Sequence, residues 1–386
     1  MATINGDGFD NILNGIAGES NVIFGRGGND TLTGVDYDDP LSGPNEFGSD
    51  FIYGNDGDDI LYGMAGDDYL VGDGYSFSGE SGNDTMYGGD GDDYLRGGAG
   101  VDYFDGGAGD DRISLFHLDA TQGAVASLLN RRISNDGFGN VETFVGIENI
   151  GQGTAFADNF TGNNNANLFL ADTSDTIRML GGDDTVQVSG AAALLHGGNG
   201  TDTITVFTLQ TWVPDTDSDG FAEAVNATHG VTVDLSAGKI VDDGFGNSGK
   251  LVSIENVGGS NLDDVLIGDR GDNVLAGYDG ADTLTGGRGA DTFDYDLANN
   301  STADPAGRDT IADFNAGDDA IDLSGVADEA AVSLTLAGAF TGVAGQVTVT
   351  ATTGGSLVEA DLNGDMASDF AILVLGDIPL AGNFIL

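Results

Sequence analysis

The chain has 386 residues, 64 of them Asp or Glu against 11 Lys or Arg, and its formal charge of −53 argues against nucleic acid and anionic membrane surfaces as partners and obliges a compact domain to find cations. There is no cysteine, which removes disulfides and thiolate-held zinc or iron–sulfur centres. No window reaches the ~18 apolar residues of a membrane span, and Met1 to Asn11 lacks the basic and apolar regions of a cleaved export leader.

Residues 1–114 read as a first block of short repeats. Only nine of the acidic residues are Glu, so the short Asp side chain, which fits tight turns and reaches its own backbone, dominates. Glycine numbers 66 and hydrophobic residues make up 40%; the latter recur at fixed intervals, which a disordered chain has no reason to do. Degenerate repeats at Asn5 to Leu13 and Gly25 to Thr33 precede GNDGDDILY and GMAGDDYLV from Gly54, then GGDGDDYLR, GGAGVDYFD and GGAGDDRIS, with inserted loops near 34–49 and 73–81. Aligning the sixth residue puts Asp59, Asp68, Asp84, Asp93, Asp102 and Asp111 in register, with Asp50 nine residues before them. Two places on, Leu61, Leu70, Met86, Leu95, Phe104 and Ile113 fall in register too. The pattern is GGxGxDxUx, where U is a large apolar residue.

The glycines of this nonapeptide permit left-handed or crowded backbone in a turn, and its last three residues form a short strand with U facing inward. Two nonapeptides make one coil. Stacked coils lie about 4.8 Å apart, so aspartates eighteen apart, such as Asp93 with Asp111, sit one above the other and repel unless a cation lies between them. Ca2+ suits such a place, being hard and taking 6 to 8 oxygen ligands, carboxylate and carbonyl alike; Mg2+ fits a flexible all-protein site less well.

Residues 115–157 read as a wider β-helical connector, and 158–206 as a degenerate stretch of the same solenoid, with Asp158, Asn167, Asp184 and Asp202 near the sixth position. A longer repeat is visible here. Asn135-Asp136-Gly137-Phe138-Gly139-Asn140 and Gly146-Ile147-Glu148-Asn149-Ile150 recur 107 residues later as Asp242-Asp243-Gly244-Phe245-Gly246-Asn247 and Ser253-Ile254-Glu255-Asn256-Val257. The second copy falls in a connector at 207–262, which also carries an EF-hand-like opening, Asp215, Asp217, Asp219 and Gly220, with Glu223 at its ninth place and Asn226 where the bidentate Glu would stand. Residues 263–294 restore the nonapeptide with Asp264, Asn273, Asp282 and Asp291, followed by Leu266, Leu275, Leu284 and Phe293. Residues 295–386 read as a C-terminal cap.

These repeats resemble those of RTX (repeats-in-toxin) proteins, and the resemblance implies an all-β fold: a parallel β-roll, or β-helix solenoid, with calcium-binding turns and a C-terminal β-rich cap. In that family the sixth-position Asp gives the carboxylate and turn carbonyls give most other ligands. The carry-over implies metal ligands at Asp50, Asp59, Asp68, Asp84, Asp93, Asp102, Asp111, Asp158, Asp184, Asp202, Asp264, Asp282 and Asp291, at Asn273, and at Gly57, Gly66, Gly89, Gly91, Gly98, Gly100, Gly107, Gly109, Gly280, Gly287 and Gly289. Further along, Asp309-Thr310-Ile311-Ala312-Asp313-Phe314, Ile321-Asp322-Leu323-Ser324-Gly325 and Asp361-Leu362-Asn363-Gly364-Asp365 resemble the C-terminal domain of serralysin-type RTX proteases. That similarity implies an uncleaved type I secretion signal, a type I ABC exporter as partner, and a small metal loop at Asp361, Asn363 and Asp365, with Met366 where its glycine is expected.

No HExxH, GxSxG or GxxxxGK[ST] motif is present among these residues, and the three histidines, His117, His196 and His229, lack partner motifs. The expected role is that of a secreted, non-catalytic calcium-binding protein that folds on external Ca2+ and self-assembles at the cell surface, as a homo-oligomer, lattice, filament or matrix. Two other readings stand beside it. Tyr53, Tyr62, Tyr69, Tyr87, Tyr94 and Tyr103 occupy outward strand places, where they either build the sheet or bind a surface polysaccharide as part of an adhesin. A polysaccharide-modifying enzyme would need a catalytic patch in one of the connectors.

Overall fold

The computed structural model describes residues 2–16, 20–34, 49–73, 81–117, 119–172, 174–190, 194–206, 209–213 and 223–386. The chain divides into two compact units, Met1–Asp184 and Thr185–Leu386, and both are built from short strands of two to seven residues joined by glycine-rich turns.

In the first unit successive repeats feed two parallel sheets alternately. One sheet runs Ala2–Asn5, Asn21–Gly27, Phe51–Asp56, Tyr69–Val71, Tyr94–Arg96, Arg112–Ile113, Asn149–Ile150 and Leu168–Ala171. The other begins Ile12–Asn14, Thr31–Thr33, Ile60–Ala65, Thr85–Asp90 and Tyr103–Ala108. Register follows the U positions. Ile23, Ile52, Leu70, Leu95, Ile113 and Ile150 stand opposite one another in one sheet, and Leu32, Leu61, Met86, Phe104 and Phe144 in the other. All are buried, so the two columns meet as the core of the roll. Burying each such side chain contributes roughly 1.5–3 kcal/mol, and a one-residue slip would turn the whole column outward.

The connectors depart from the wider coils expected. Arg132–Asn135 runs antiparallel to both Val125–Ser127 and Glu142–Val145. The outer two strands rejoin the parallel sheet, Phe144 opposite Phe104 and Ala126 opposite Phe160. The connector is therefore an antiparallel excursion set between two parallel rungs. Its tight turns depend on Asp136, whose Oδ1 accepts the N–H groups of Phe138, Gly139 and Asn140 at 2.9 Å each.

The second unit repeats the scheme. One sheet runs Thr185–Val188, Thr203–Val206, Asn256–Gly258, Val274–Ala276, Thr292–Asp294, Ala320–Asp322 and Phe384–Ile385. The other carries the second excursion, Thr232–Asp234, Lys239–Asp242 and Gly249–Val252, again antiparallel within itself. From it Val265–Ile267, Thr283–Thr285 and Asp309–Phe314 continue in parallel. There the sheet changes character: Phe370–Gly376 adds in parallel, and Gly355–Asp361 and Gln346–Thr352 add antiparallel. The single α-helix among the described residues, Ser324–Glu329, buries Val326 and Ala327.

Candidate metal centre

The turns of the first unit align their sixth residues in two ladders. In one, the backbone N–H of Asp50 donates to Asp68 Oδ1 at 2.7 Å, that of Asp68 to Asp93 Oδ1 at 2.8 Å, and that of Asp93 to Asp111 Oδ1 at 2.9 Å. In the other, Asp30 donates to Asp59 Oδ1 at 2.6 Å, Asp59 to Asp84 Oδ1 at 2.9 Å, and Asp84 to Asp102 Oδ1 at 2.8 Å. One oxygen of each carboxylate thus ties two coils together.

The second oxygen has no such partner. Oδ2 of Asp30, Asp59, Asp68, Asp84, Asp93, Asp102 and Asp111 is buried without a hydrogen-bond donor, and it faces another acceptor. A Cβ added at Gly88 would overlap both Asp93 Oδ2 and the Gly106 carbonyl oxygen; one at Gly72 would overlap Asp84 Oδ2 and approach the Gly97 carbonyl oxygen. Glycine is required there because the pocket is filled by oxygens converging from two coils. It is required again at Gly107, where φ is 110° and a Cβ would strike the Gly89 carbonyl oxygen. Of the turn glycines named from sequence, all but Gly100 hold positive φ.

Electrostatics tells the same story. Burial pushes Asp59 and Asp68 up to about 7, Asp93 to about 8 and Asp84 to about 10, and repulsion from neighbouring carboxylates adds to the rise. Hydrogen bonds from backbone N–H groups offset only part of it. A row of buried carboxylates, each with an unanswered lone pair beside a carbonyl, fits a hard, oxygen-seeking divalent cation.

The second unit carries two ladders of its own. Asp264 N–H donates to Asp282 Oδ1 at 2.7 Å and Asp282 N–H to Asp309 Oδ1 at 2.9 Å; Asn273 N–H donates to Asp291 Oδ1 at 3.0 Å and Asp291 N–H to Asp319 Oδ1 at 3.1 Å. Asp309 and Asp319 were missed in the sequence, although each stands two residues before a buried Ile, Ile311 and Ile321. That Asp-x-U step is the signal that would have found them. Asp30 lies inside a repeat recognised only as degenerate.

Rungs that come after each connector are closed differently. Asp158 accepts from the N–H of Thr154 at 2.8 Å and from its hydroxyl at 2.8 Å. Asp264 accepts from Ser260 in the same way, its hydroxyl at 2.8 Å. At the next rung the sixth residue is Asn. The side-chain amide of Asn167 donates to the Glu148 carbonyl oxygen at 2.7 Å, and that of Asn273 to the Glu255 carbonyl oxygen at 2.7 Å. Near Asp158, Asp172 and Asp175 bring further carboxylate oxygens, all within 4.8 Å of one another. Asp184 accepts the Asn167 N–H at 2.8 Å, and the Asp202 N–H donates to Glu255 Oε2 at 2.9 Å.

Asp215, Asp217 and Asp219 lie outside the described residues, and Glu223 opens the strand Glu223–Asn226. At the C-terminal loop, Asp361 accepts the N–H groups of Gly364 at 2.6 Å and Met366 at 2.9 Å, and Asn363 Oδ1 accepts that of Asp365 at 2.9 Å. Met366 adopts φ 69°, the left-handed turn a glycine would supply. Asp369, which no repeat or motif marks in the sequence, joins the loop by accepting from Leu362 N–H at 2.8 Å and from the Asn363 amide at 3.0 Å.

The tyrosines fall on both sheets and stack on one another. Tyr62 and Tyr87 lie 4.9 Å apart at 6°, and Tyr69 and Tyr94 4.5 Å apart at 4°; the Arg112 guanidinium sits 5.3 Å over the Tyr94 ring. Ring faces turned to each other are not platforms for sugars, so this geometry favours the sheet-building role. In the second connector Thr228, His229 and Asp242 form a hydrogen-bonded chain with steps of 3.0 Å. It lies open to solvent, half of the His229 side chain being exposed, and has no water-excluding surroundings for base catalysis.

Parallel coils, glycine turns and paired aspartate ladders define a calcium-binding β-roll protein of the RTX class. Residues 46–74 and 78–113 match the RTX calcium-binding nonapeptide repeat (4 copies), and residues 181–386 match the peptidase M10 serralysin C-terminal domain. Because that second match spans more than half of the 386 residues, the chain belongs to the serralysin C-terminal family. It is a secreted calcium-binding RTX protein. A comparison with curated proteins finds no match.

Proposed function

We propose that this chain is a non-catalytic scaffold set by calcium: it leaves the cell unfolded through a type I ABC exporter, folds on meeting external Ca2+, and assembles with copies of itself into a surface layer, filament or matrix. The observation that carries this reading is the row of buried aspartate oxygens without donors, from Asp30 to Asp111. Bound calcium supplies positive charge and coordination positions at oxygens that no side chain of the protein answers. The ligands would be the sixth-position aspartates of both ladders, with carbonyls of the facing turn glycines. Asp361, Asn363, Asp365 and Asp369 would form a separate site in the cap.

Without the cation, carboxylates crowded at coil spacing repel, and the net charge of −53 favours an expanded chain. Intracellular calcium is too scarce to fill sites of the extracellular kind, which need about 10⁻⁴ to 10⁻³ M.

The test is dialysis of purified protein from EGTA into ~1 mM Ca2+, with far-UV circular dichroism and electron microscopy as readouts. The expected result is a gain of β signal on adding calcium, then ordered arrays or filaments. Equal, folded spectra in both buffers would sink calcium-driven folding; a folded monomer at every concentration would sink the assembly role alone.

A further inference from the structure

Asp111 is the last aspartate of one ladder and Asp102 the last of the other, yet neither is the end of the coil stack. Strand register places a glutamate beyond each. Asn149 pairs with Arg112, which sets Glu148 opposite Asp111, and Thr143 pairs with Tyr103, which sets Glu142 opposite Asp102. Glu148 Oε2 accepts the Asp111 N–H at 3.0 Å, taking the place that Asp111 Oδ1 itself takes toward Asp93 at 2.9 Å. Glu142 Oε1 faces the Asp102 N–H at 3.4 Å, the two side chains being 2% and 3% exposed.

The unanswered oxygen persists at these last rungs. Asp111 is fully buried and its Oδ2 has no donor; Asp102 Oδ2 is likewise alone. A Cβ at Gly106 would overlap Asp111 Oδ2 and the Gly146 carbonyl oxygen, the same pairing that Gly88 shows with Asp93 and Gly106 one coil earlier. Beyond Glu148 the arrangement stops, because its carbonyl oxygen is met by the Asn167 amide at 2.7 Å. The second unit repeats the junction: Glu255 Oε2 accepts the Asp202 N–H, and a Cβ at Gly197 would overlap Asp202 Oδ2 and the Ser253 carbonyl oxygen.

We propose that Glu148 and Glu142 are calcium ligands that terminate the two aspartate ladders, and that the recurring Gly146-Ile-Glu-Asn and Ser253-Ile-Glu-Asn segments are ladder terminators. Each supplies a carboxylate and a carbonyl to the last calcium site on one side and hydrogen-bond acceptors to a metal-free rung on the other. This rests on the calcium reading above.

The test uses Glu148→Gln and Glu142→Gln in the full chain, because Gln keeps an acceptor for the Asp N–H and removes only the charge. Calcium bound per chain is measured by equilibrium dialysis, and fold by circular dichroism at saturating Ca2+. Each variant should keep the wild-type spectrum yet bind one ion fewer, or one ion about tenfold more weakly. Both variants binding the wild-type number of ions with wild-type affinity would overturn the proposal. A wild-type chain that binds no calcium would instead overturn the reading it rests on. Should Gln at 148 block folding, Glu255→Gln at the matching junction of the second unit is measured: loss or weakening of one ion supports the role, and the wild-type number of ions at wild-type affinity refutes it.

Discussion

The aspartate coils from 59 to 111 and the rungs after each connector share one backbone plan and differ in what answers the carboxylate. At Asp93, Asp102 and Asp111 the second residue of the nonapeptide is Gly89, Gly98 or Gly107, which brings no side chain to Oδ2; at Asp158 and Asp264 that place holds Thr154 and Ser260, whose hydroxyl and N–H groups bond the carboxylate. The effect is visible within one ladder. Hydrogen bonds from Ser260 hold the rise of Asp264, set by burial, to about 6, whereas Asp282, buried and facing Asp309, is pushed up to about 9. The presence of Asp at the sixth place therefore does not by itself create a need for a cation.

Acid is the strongest way to break this contrast. Asp59, Asp68, Asp93 and Asp84 take up protons at about 7, 7, 8 and 10 in the folded chain, against about 4 when unfolded. A folded value raised above the unfolded one means that the folded state holds protons the unfolded state has released. In calcium-free buffer that stability is fully present below pH about 4 and is lost as pH rises through 7 to 10. Circular dichroism in EGTA should show a folded chain near pH 4 and an expanded one at high pH, and the calcium midpoint should rise as pH falls. A metal-free spectrum independent of pH would break the comparison.

A smaller effect comes from turning a closed rung into an open one. Asn273→Asp replaces the amide that donates to the Glu255 carbonyl oxygen with a second acceptor. Leaving that buried charge uncompensated should cost about 3 kcal/mol in EGTA, seen as a lower urea midpoint, and calcium should restore most of it. Restoration of nothing would show that the turn cannot take an ion. The smallest change is Thr154→Val, which removes the hydroxyl on Asp158. A loss of about 1.5–3 kcal/mol is expected, in calcium as in EGTA; a loss found only in EGTA would place an ion at Asp158.

Much of this was legible in the chain because side-chain period and turn chemistry repeat together. The buried column of Leu61, Met86 and Phe104 and the ladder of Asp59, Asp84 and Asp102 are the third and first residues of the same Asp-x-U step. What escaped was set by register across an excursion. Glu148 comes opposite Asp111 only after 37 residues have left the roll and returned, and no local spacing announces that. The excursions escaped too, because strands as short as Val125–Ser127 carry too few residues to show whether they pair parallel or antiparallel. Asp369 was hidden by loop geometry, its bond to Leu362 spanning seven residues outside any repeat.

The N–H to Oδ1 bonds all run one way, the donor in the coil nearer the N-terminus and the acceptor in the coil nearer the C-terminus. A coil that settles on the N-terminal side of a finished stack brings its amide to a carboxylate already fixed in position. One that settles on the opposite side must itself order the side chain that does the accepting. Each unit's stack therefore has polarity, like a filament with unlike ends, and in the first unit winding should proceed more readily from Asp111 toward Asp30 than in the reverse sense.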